Sequence, residues 1–361
     1  MEDSRILNPG ISIKASVTLE DVKKIIFESY GIKAKQLHEL NGYDDWNYHV
    51  TTEKSDSSIE SRGEVGENGY VLKIINSLDS KKPRVFEAQS LLLLHLENYG
   101  FRCPKPILTK AEQFFETVEL RSGEHIVRLL EYIDGTIFHK VPRTPRLLYQ
   151  AGEIVSRMDI AMKVYFQSFH HPAYNNYKTL WMLDSVPQIT QFLFAIQDKT
   201  KKQLVQNVVQ EFQDRVLSIS NTLERGLIHG DFNEQNIIVE EQNGQYEIKA
   251  VIDFGDAHIA CYLYELAITM CYMMLIDKDV YAGGHVLAGY SAIRKVPDAE
   301  LSLLRICIAA RLCQSLVIGA YSNLQDPENS YVLTTAAQGW ILLDQIWNET
   351  DSGLLHKWTN I

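Results

Sequence analysis

The 361 residues are 45% hydrophobic and 22% charged, with a formal net charge of −11, an ordinary globular composition and enough chain for one large domain or two modest ones. The negative balance disfavours a nucleic-acid or anionic-membrane partner. It leaves a Mg²⁺-nucleotide open, because local charges and the metal decide that binding. The five cysteines, Cys103, Cys261, Cys271, Cys307 and Cys313, form no Cys-x-x-Cys pair and no ligand spacing with histidine. Residues 1–10 lack an apolar core, and the longest candidate apolar stretch, 266–276, is too short to cross a bilayer. A reduced, soluble, cytoplasmic protein is therefore expected.

Residues 18–30 predict a leading helix, with Thr18 as N-cap, Glu20 and Asp21 in the first turn, and Gly31 past the end. Val22, Ile25, Ile26 and Tyr30 share one face. Residues 33–40 and 46–51 predict two strands joined by the turn Asn41-Gly42-Tyr43-Asp44-Asp45. The segment 53–69 is polar and rich in serine and glycine, and reads as a mobile hairpin loop without chemistry. Strand 70–75 carries Lys73 among Val71, Leu72, Ile74 and Ile75; a lysine there either faces water by alternation or is held by a partner. Helix 83–100 has Pro83 in its first turn, Gly100 at its end, and Val85, Ala88, Leu92 and Leu96 along one side. It offers Glu87 early and Glu97 late as partners for Lys73, and Glu87 is preferred. Strands 114–120 and 124–130 follow, and near residue 131 strands give way to helices, the expected lobe boundary.

Thr144-Pro145 opens a helix running to about residue 169, which His170-His171-Pro172 ends. Adjacent histidines point apart, which disfavours a metal site there. Segments 187–195 and 202–223 are amphipathic helices that read as packing elements.

The chemistry concentrates in 228–256. Asp231 is followed by Asn236 five residues on and by Asp253 seventeen beyond that. A β-branched run at 237–239, the turn signal Asn243-Gly244 and an alternating segment at 246–252 predict a hairpin. Folded about Asn243-Gly244, it lays Asn236 opposite residue 251 or nearby, with Asp253 at the open end and Asp231 in the preceding loop. Phosphoryl transfer needs such a trio: an aspartate to orient the acceptor hydroxyl and take its proton, and an asparagine and second aspartate to offer hard oxygens to Mg²⁺. The plainer reading is a polar loop in which Asp231 caps a helix and Asp253 ends a strand. Residues 257–276 then become an apolar helix containing Tyr264 and Glu265. There is no long activation segment and no Ala-Pro-Glu, which disfavours a protein kinase. Helix 305–321 carries Arg311 and Gln314 in otherwise apolar sequence; Arg311 is either paired within the fold, the preferred reading, or takes a substrate carboxylate bidentately. Trp340, Trp347 and Trp358 belong to a closing helix.

The stretch 228–256 resembles the catalytic and metal-binding core of the protein-kinase-like small-molecule kinases, the aminoglycoside phosphotransferase superfamily. Over nearly the whole chain the resemblance is to its hydroxylysine-kinase branch. It is carried by Gly-Tyr-Asp-Asp-Trp-Asn-Tyr-His-Val (42–50), Tyr-Val-Leu-Lys-Ile (70–74), Val-Arg-Leu-Leu-Glu-Tyr-Ile-Asp-Gly (127–135), Phe-His-His-Pro (169–172), Gly-Gly-His-Val-Leu-Ala-Gly (283–289) and Cys-Gln-Ser-Leu-Val (313–317). The resemblance implies an α+β, two-lobe fold: a small antiparallel β lobe with one key helix (1–130), a hinge (131–135), and a larger, mainly helical catalytic and substrate-binding lobe (136–361). It implies Asp231 as the catalytic residue and Asn236 and Asp253 as Mg²⁺ ligands. Lys73, braced by Glu87, would grip the nucleotide phosphates, and backbone groups at Leu130 and Tyr132 would bind the base. The turn 41–45 would cover the phosphates with a single glycine in place of Gly-x-Gly-x-x-Gly. It further implies GTP as donor, with ATP as alternative, and 5-hydroxy-L-lysine as acceptor. An acceptor with two ammonium groups and one carboxylate asks for an acidic pocket with one cation: Asp44, Asp45, Asp256 and Glu265 for the first, Arg311 for the second. An ATP-dependent kinase of homoserine, choline or ethanolamine, and a nucleotide-binding protein without catalysis, are the rival readings.

Overall fold

In the computed structural model, which describes residues 6–52, 68–169, 171–329, 333–334 and 336–361, the chain forms two compact units, Met1–Asp134 and Gly135–Ile361. The expected loop at 53–69 lies, up to residue 67, outside the described residues. In the first unit Thr18 caps α1 (Leu19–Ile25) through a capping box: its hydroxyl accepts the Asp21 N–H at 3.2 Å while the Asp21 carboxylate accepts the Thr18 N–H at 2.8 Å. The predicted helix does reach Tyr30, but its last turn, Ile26–Tyr30, widens into a π-helix that Gly31 ends at φ 75°.

The strands of this unit are β1 (Ala34–Leu40), β2 (Trp46–Thr52), β3 (Tyr70–Ile74), β4 (Pro106–Ile107), β5 (Glu116–Leu120) and β6 (Gly123–Glu131). They pair antiparallel in the order β1-β2-β3-β6-β4, with β5 also on β6. One face is buried, so β3 alternates: Tyr70, Leu72 and Ile74 are inside while Val71 and Lys73 are half-buried. Val22, Ile26, Val50, Leu72, Val127 and Leu129 form its core, each fully buried apolar side chain contributing roughly 1.5–3 kcal/mol. Helix α2 (Pro83–Asn98) starts on Pro83 as predicted, and its Phe86 packs with Ile75 and Ile126.

The second unit is mainly helical. Thr144 caps α3 (Pro145–Ser168), accepting the Leu147 N–H at 3.2 Å. Residues Leu183–Ala195, predicted as an amphipathic helix from 187, wind as 3-10 turns around the internal Pro187, which lacks the N–H an α-helix would use. The helix predicted for 202–223 starts earlier, because Asp198 caps it, and runs as α4 (Lys199–Arg215) before a separate 3-10 segment at Leu217–Thr222. Then come α5 (Tyr262–Asp277), α6 (Ala282–Ile293), a single helical turn at Asp298–Leu301, and α7 (Leu304–Gln325). Helix α7, not 266–276, is long and apolar enough to cross a membrane by length and composition, and 89% of that stretch is buried inside the fold. The closing tryptophans are divided between α8 (Ala336–Asn348), with Trp340 and Trp347, and α9 (Asp351–Thr359), whose buried Trp358 donates its indole N–H to the Val280 carbonyl at 3.0 Å.

Two small antiparallel sheets position the loop between them. One is β10 (Gln245–Val251), β9 (Ile237–Gln242) and β7 (Thr136–Ile137); the other pairs β11 (His258–Cys261) with β8 (Arg225–Ile228). Helices α3 and α6 cross at glycines: a Cβ on Gly152 would lie 2.0 Å from the Val286 carbonyl oxygen, and one on Gly289 2.0 Å from that of Tyr149.

Candidate active site

The predicted hairpin forms with one extra residue. Gln245 faces Gln242 and Ile248 faces Val239, the register set by Asn243-Gly244. A bulge between Ile248 and Ala250 then shifts it, so Val251 faces Ile237. Asn236 consequently meets Ile252, one past residue 251 and within the expected range: the Ile252 N–H donates to the Asn236 carbonyl at 2.9 Å. Asp253 follows at once, held at φ 62° and ψ 67° in the left-handed region, a conformation that aspartate tolerates better than most residues and that clusters at functional sites.

Asn236 donates both amide hydrogens to Asp231, one to its carbonyl and one to its carboxylate Oδ2, each at 2.9 Å. The amide oxygen is therefore the group Asn236 has left to offer a cation. The other carboxylate oxygen of Asp231, Oδ1, accepts from Arg311 Nη2 at 2.7 Å. Burial pushes the Asp231 carboxyl up from its ordinary range, opposed by the Arg311 guanidinium and by hydrogen bonds from Asn233 and Asn236, while the neighbouring Asp253 pushes it further up. The two aspartates thus sense each other across the loop.

The loop is braced from below. The Asp231 N–H donates to His229 Nδ1 at 3.2 Å, so the His229 proton sits on Nε2, which donates to the Ile252 carbonyl at 3.1 Å. Burial holds both His229 and His258 down to about 4, neutral at physiological pH. Gly230 stands at φ 81°, and a Cβ there would lie 2.6 Å from the Asp256 carbonyl and 2.9 Å from the His258 ring, so only glycine fits. Its N–H donates to Glu265 Oε2 at 3.1 Å.

Of the expected substrate carboxylates, Glu265 is 0% exposed and holds the Gly230 amide. That corrects its reading as a substrate-facing acid: it supports the loop from inside. Asp256 is half-buried beside the Asp253-Phe254-Gly255 turn. In the first unit, Asp45 accepts the Asn76 N–H at 2.7 Å and its side-chain amide at 2.9 Å, in a chain continued by Asp79 and Lys82. Burial lifts Asp45 to about 6 and Asp44 to about 7.

Arg311 is 1% exposed. Its Nε donates to Tyr272 Oη at 3.2 Å, its Nη1 to the Trp181 carbonyl and to Gln314 Oε1, each at 2.9 Å, and its Nη2 to Asp231. Four of its five N–H donors are spent, which leaves no fork for a substrate carboxylate. The intramolecular pairing is the one observed. Gln314 in turn donates to the carbonyls of Leu180 and Met182 at 2.7 and 2.9 Å, so α7 fastens the 180–182 segment beside the loop. His229, Tyr272, Trp181 and Gln314 were not among the expected site residues. Of these, His229, two residues before Asp231 in a His-x-Asp pattern, and Gln314, three residues from Arg311 in an apolar helix, carried a signal.

In the first unit Lys73 lies in register between Asn47 and Arg128. Glu87 is exposed on α2, while the competing Glu97 pairs with Lys105 at 2.6 Å. The Tyr132 N–H donates to the Gly69 carbonyl at 3.0 Å, and its ring stacks 3.7 Å from that of His49. A base held here would therefore use backbone groups other than that N–H. His170 lies outside the described residues; His171 caps the turn after α3 through its Nδ1. Among the described residues no three His, Cys, Asp or Glu side chains are grouped to hold a metal ion. A site of one asparagine and one aspartate suits Mg²⁺, which commonly takes one or two carboxylates plus phosphate oxygens.

The profile of the APH phosphotransferase enzyme family matches residues 39–298. The chain is 31% identical to the hydroxylysine kinase of Bos taurus, over 96% of this chain and 92% of that one, and 30% identical to the hydroxylysine kinase of Xenopus laevis, over 93% and 94%. Among solved structures it resembles a microcompartment-associated aminopropanol kinase, with TM-score 0.71 and 18% identity over 94% of this chain and all of that one. It also resembles an amicoumacin kinase in complex with AMP-PNP, Ca²⁺ and Ami, with TM-score 0.63 and 18% identity over 91% and 94%. Its α+β architecture is thus the kinase-like fold of these proteins. The chain belongs to the APH phosphotransferase enzyme family, as a small-molecule kinase acting on an alcohol group.

Proposed function

We propose that the chain transfers the γ-phosphoryl group of GTP to the 5-hydroxyl of 5-hydroxy-L-lysine, giving 5-phosphooxy-L-lysine and GDP. The observation that carries this reading is the Asp231 carboxylate, clamped on one oxygen by Arg311 at 2.7 Å and on the other by Asn236 at 2.9 Å. A group so oriented positions an acceptor hydroxyl, and a carboxylate retains further lone pairs to take its proton as the oxygen attacks phosphorus. Mg²⁺, held by Asn236 and Asp253, would neutralise charge on the phosphate oxygens. Lys73, braced by Glu87, is the phosphate cation of the N-terminal nucleotide-binding lobe (1–130), with the hinge (131–135) at the base and residues 136–361 as the catalytic and substrate-binding lobe. Asp256 is the acidic residue we assign to a substrate ammonium.

The acceptor is named on the likeness to the two hydroxylysine kinases, and GTP on the same resemblance. The five cysteines are free and buried, which suits a reducing cytoplasm. Purified protein with Mg²⁺ and either GTP or ATP, offered hydroxylysine, homoserine, aminopropanol, choline and ethanolamine in parallel, tests the reading by phosphorus NMR of the product. A new phosphomonoester is expected with hydroxylysine and fastest with GTP. Preference for another acceptor replaces the substrate. Nucleotide binding without transfer to any alcohol removes the catalytic assignment of Asp231.

A further inference from the structure

The second unit buries two carboxyl side chains that transfer chemistry does not use directly. Asp159, on α3, is 1% exposed, and Glu265, on α5, is 0% exposed. Each has one oxygen bonded and one bare. Asp159 Oδ2 accepts the Tyr290 hydroxyl at 2.7 Å and Glu265 Oε2 accepts the Gly230 N–H at 3.1 Å, while Asp159 Oδ1 and Glu265 Oε1 are buried without a hydrogen-bond partner. The two groups are electrostatic neighbours, and α3 packs against α5.

We propose that Asp159 and Glu265 share one proton, the O–H of Asp159 donating to Glu265 Oε1, and that Asp159 is thereby a positioning residue for the 229–231 loop. This rests on the reading of that loop as catalytic. Two bare carboxylates this deep cannot both stay ionised, and a single shared proton turns two unsatisfied acceptors into one donor and one acceptor. Glu265 then remains an anion and grips the Gly230 amide in a charge-assisted bond.

The surroundings favour the same assignment. Around Asp159 stand Tyr290 on α6 and Arg294 just past its end, Glu224 before β8, and Tyr262. The Arg294 cation does not neutralise Asp159 directly: its Nη1 donates to the Tyr290 hydroxyl at 3.0 Å, its Nη2 pairs with Glu224, and its guanidinium lies over the Tyr262 ring. Around Glu265 stand the amides of His229 and Gly230, the Asp231 carboxylate and Arg311 from α7, whose cation is already committed to Asp231. Burial first, and Glu265 second, push Asp159 well above the ordinary carboxylate range; burial pushes Glu265 up to about 7.

The sign of the pH effect follows. The unfolded chain ionises both groups in the usual carboxylate range, whereas the folded chain keeps one proton. Stability is fully present below that range and falls as pH rises toward the point where the shared proton leaves. Above that point two buried negative charges repel each other, and the grip on Gly230 fails.

Asp159→Asn supplies a permanent N–H where the shared proton sits, and Asp159→Ala supplies nothing. The infrared difference spectrum of wild type minus D159N at neutral pH should show the C=O band of a protonated carboxyl. D159N should melt with a flatter dependence on pH and lose the alkaline limb of kcat. D159A should lose roughly tenfold in kcat, the size of one buried hydrogen bond, with little change in KM for nucleotide, and D159N should recover most of that loss. If D159N does not fold, Glu265→Gln gives the same difference band, because its amide can donate to Asp159 Oδ1 while its oxygen accepts from Gly230. A wild type without the band, as a bridging water would give, overturns the proposal, and so does D159N with the wild-type melting slope. The band and the slope are read without turnover. A protein that shows both yet phosphorylates no alcohol keeps the shared proton and removes the catalytic reading.

Discussion

Replacing Arg311 with methionine tests how Asp231 is tuned. The substitution keeps an unbranched apolar stem and removes a cation that is 1% exposed and 2.7 Å from a carboxylate whose side chain is 23% exposed. Removing one member of a buried ion pair costs about 3–5 kcal/mol. Asp231 keeps its bonds from Asn233 and Asn236 and some access to water, so the lower end, about 3 kcal/mol, applies. The Trp181 carbonyl, Gln314 and Tyr272 also lose their guanidinium donors, at about 1 kcal/mol each. For a unit of this size the melting point should drop by roughly 10–20 °C. The catalytic signature is separate from the stability loss. An opposite charge this close lowers a carboxyl pKa by roughly 1–3 units, so with Arg311 gone the burial of Asp231 is opposed only by the hydrogen bonds from Asn233 and Asn236, and the acid limb of kcat/KM moves up in pH. Phosphate transfer measured across the pH range below the melting point reads that limb. Arg311→Lys should restore much of the limb but less of the melting point, because one ammonium replaces the charge but not the four directed donors. If R311M folds and its acid limb coincides with wild type, Arg311 does not tune Asp231 and is only a strut.

Three further outcomes follow from the same loop. Asp231→Ala should lower turnover by roughly 10²–10⁴-fold, the range for a lost acid–base group, with nucleotide affinity by calorimetry unchanged; near-normal turnover would sink the assignment. Asp253→Asn should move the Mg²⁺ titration of activity to higher concentration, since one carboxylate charge is gone, and an unaltered titration would remove Asp253 from the metal shell. Gly230→Ala should destabilise the fold by at least about 1–3 kcal/mol, the strain of a positive φ alone, because its Cβ would press within 2.6 Å of the Asp256 carbonyl. A melting point equal to wild type would show that the loop has room the geometry denies.

What could be read from the letters was what depends on neighbours in sequence. The N-cap at Thr18, the start of α2 on Pro83, the opening of α3 at Thr144-Pro145 and the turn at Asn243-Gly244 are local devices, and each stands where the pattern put it. The misses have equally local causes that pattern reading overlooked. The bulge at Lys249 inserts a residue that leaves alternation nearly intact, so the exact partner of Asn236, Ile252, could be read only as residue 251 or nearby. Pro187 broke the periodicity of an apparently amphipathic segment into 3-10 turns. Helix α7 escaped notice as the longest apolar element because Arg305 and Arg311 interrupt it, and both arginines are neutralised by partners far away in sequence.

The site divides along the same line. The identities of Asp231, Asn236 and Asp253 lie within one short segment, so spacing exposes the chemistry. Much of their tuning does not lie there. Arg311 reaches Asp231 from 80 residues away, Glu265 reaches Gly230 from 35, and Tyr290 reaches Asp159 from 131. In sequence Glu265 is an acid near a motif and was assigned to the substrate; only its burial, with one oxygen on a backbone amide, shows that it serves the loop. The physical reason is general. A reacting carboxylate must be visible to its substrate and can be marked by a motif, whereas the groups that set its proton affinity act through a low-dielectric interior and can come from any element that packs there. In this fold α3, α5 and α7 each send one ionisable side chain toward the 229–236 loop or its supports, and a substitution on any of them should shift a pH profile before it abolishes a rate.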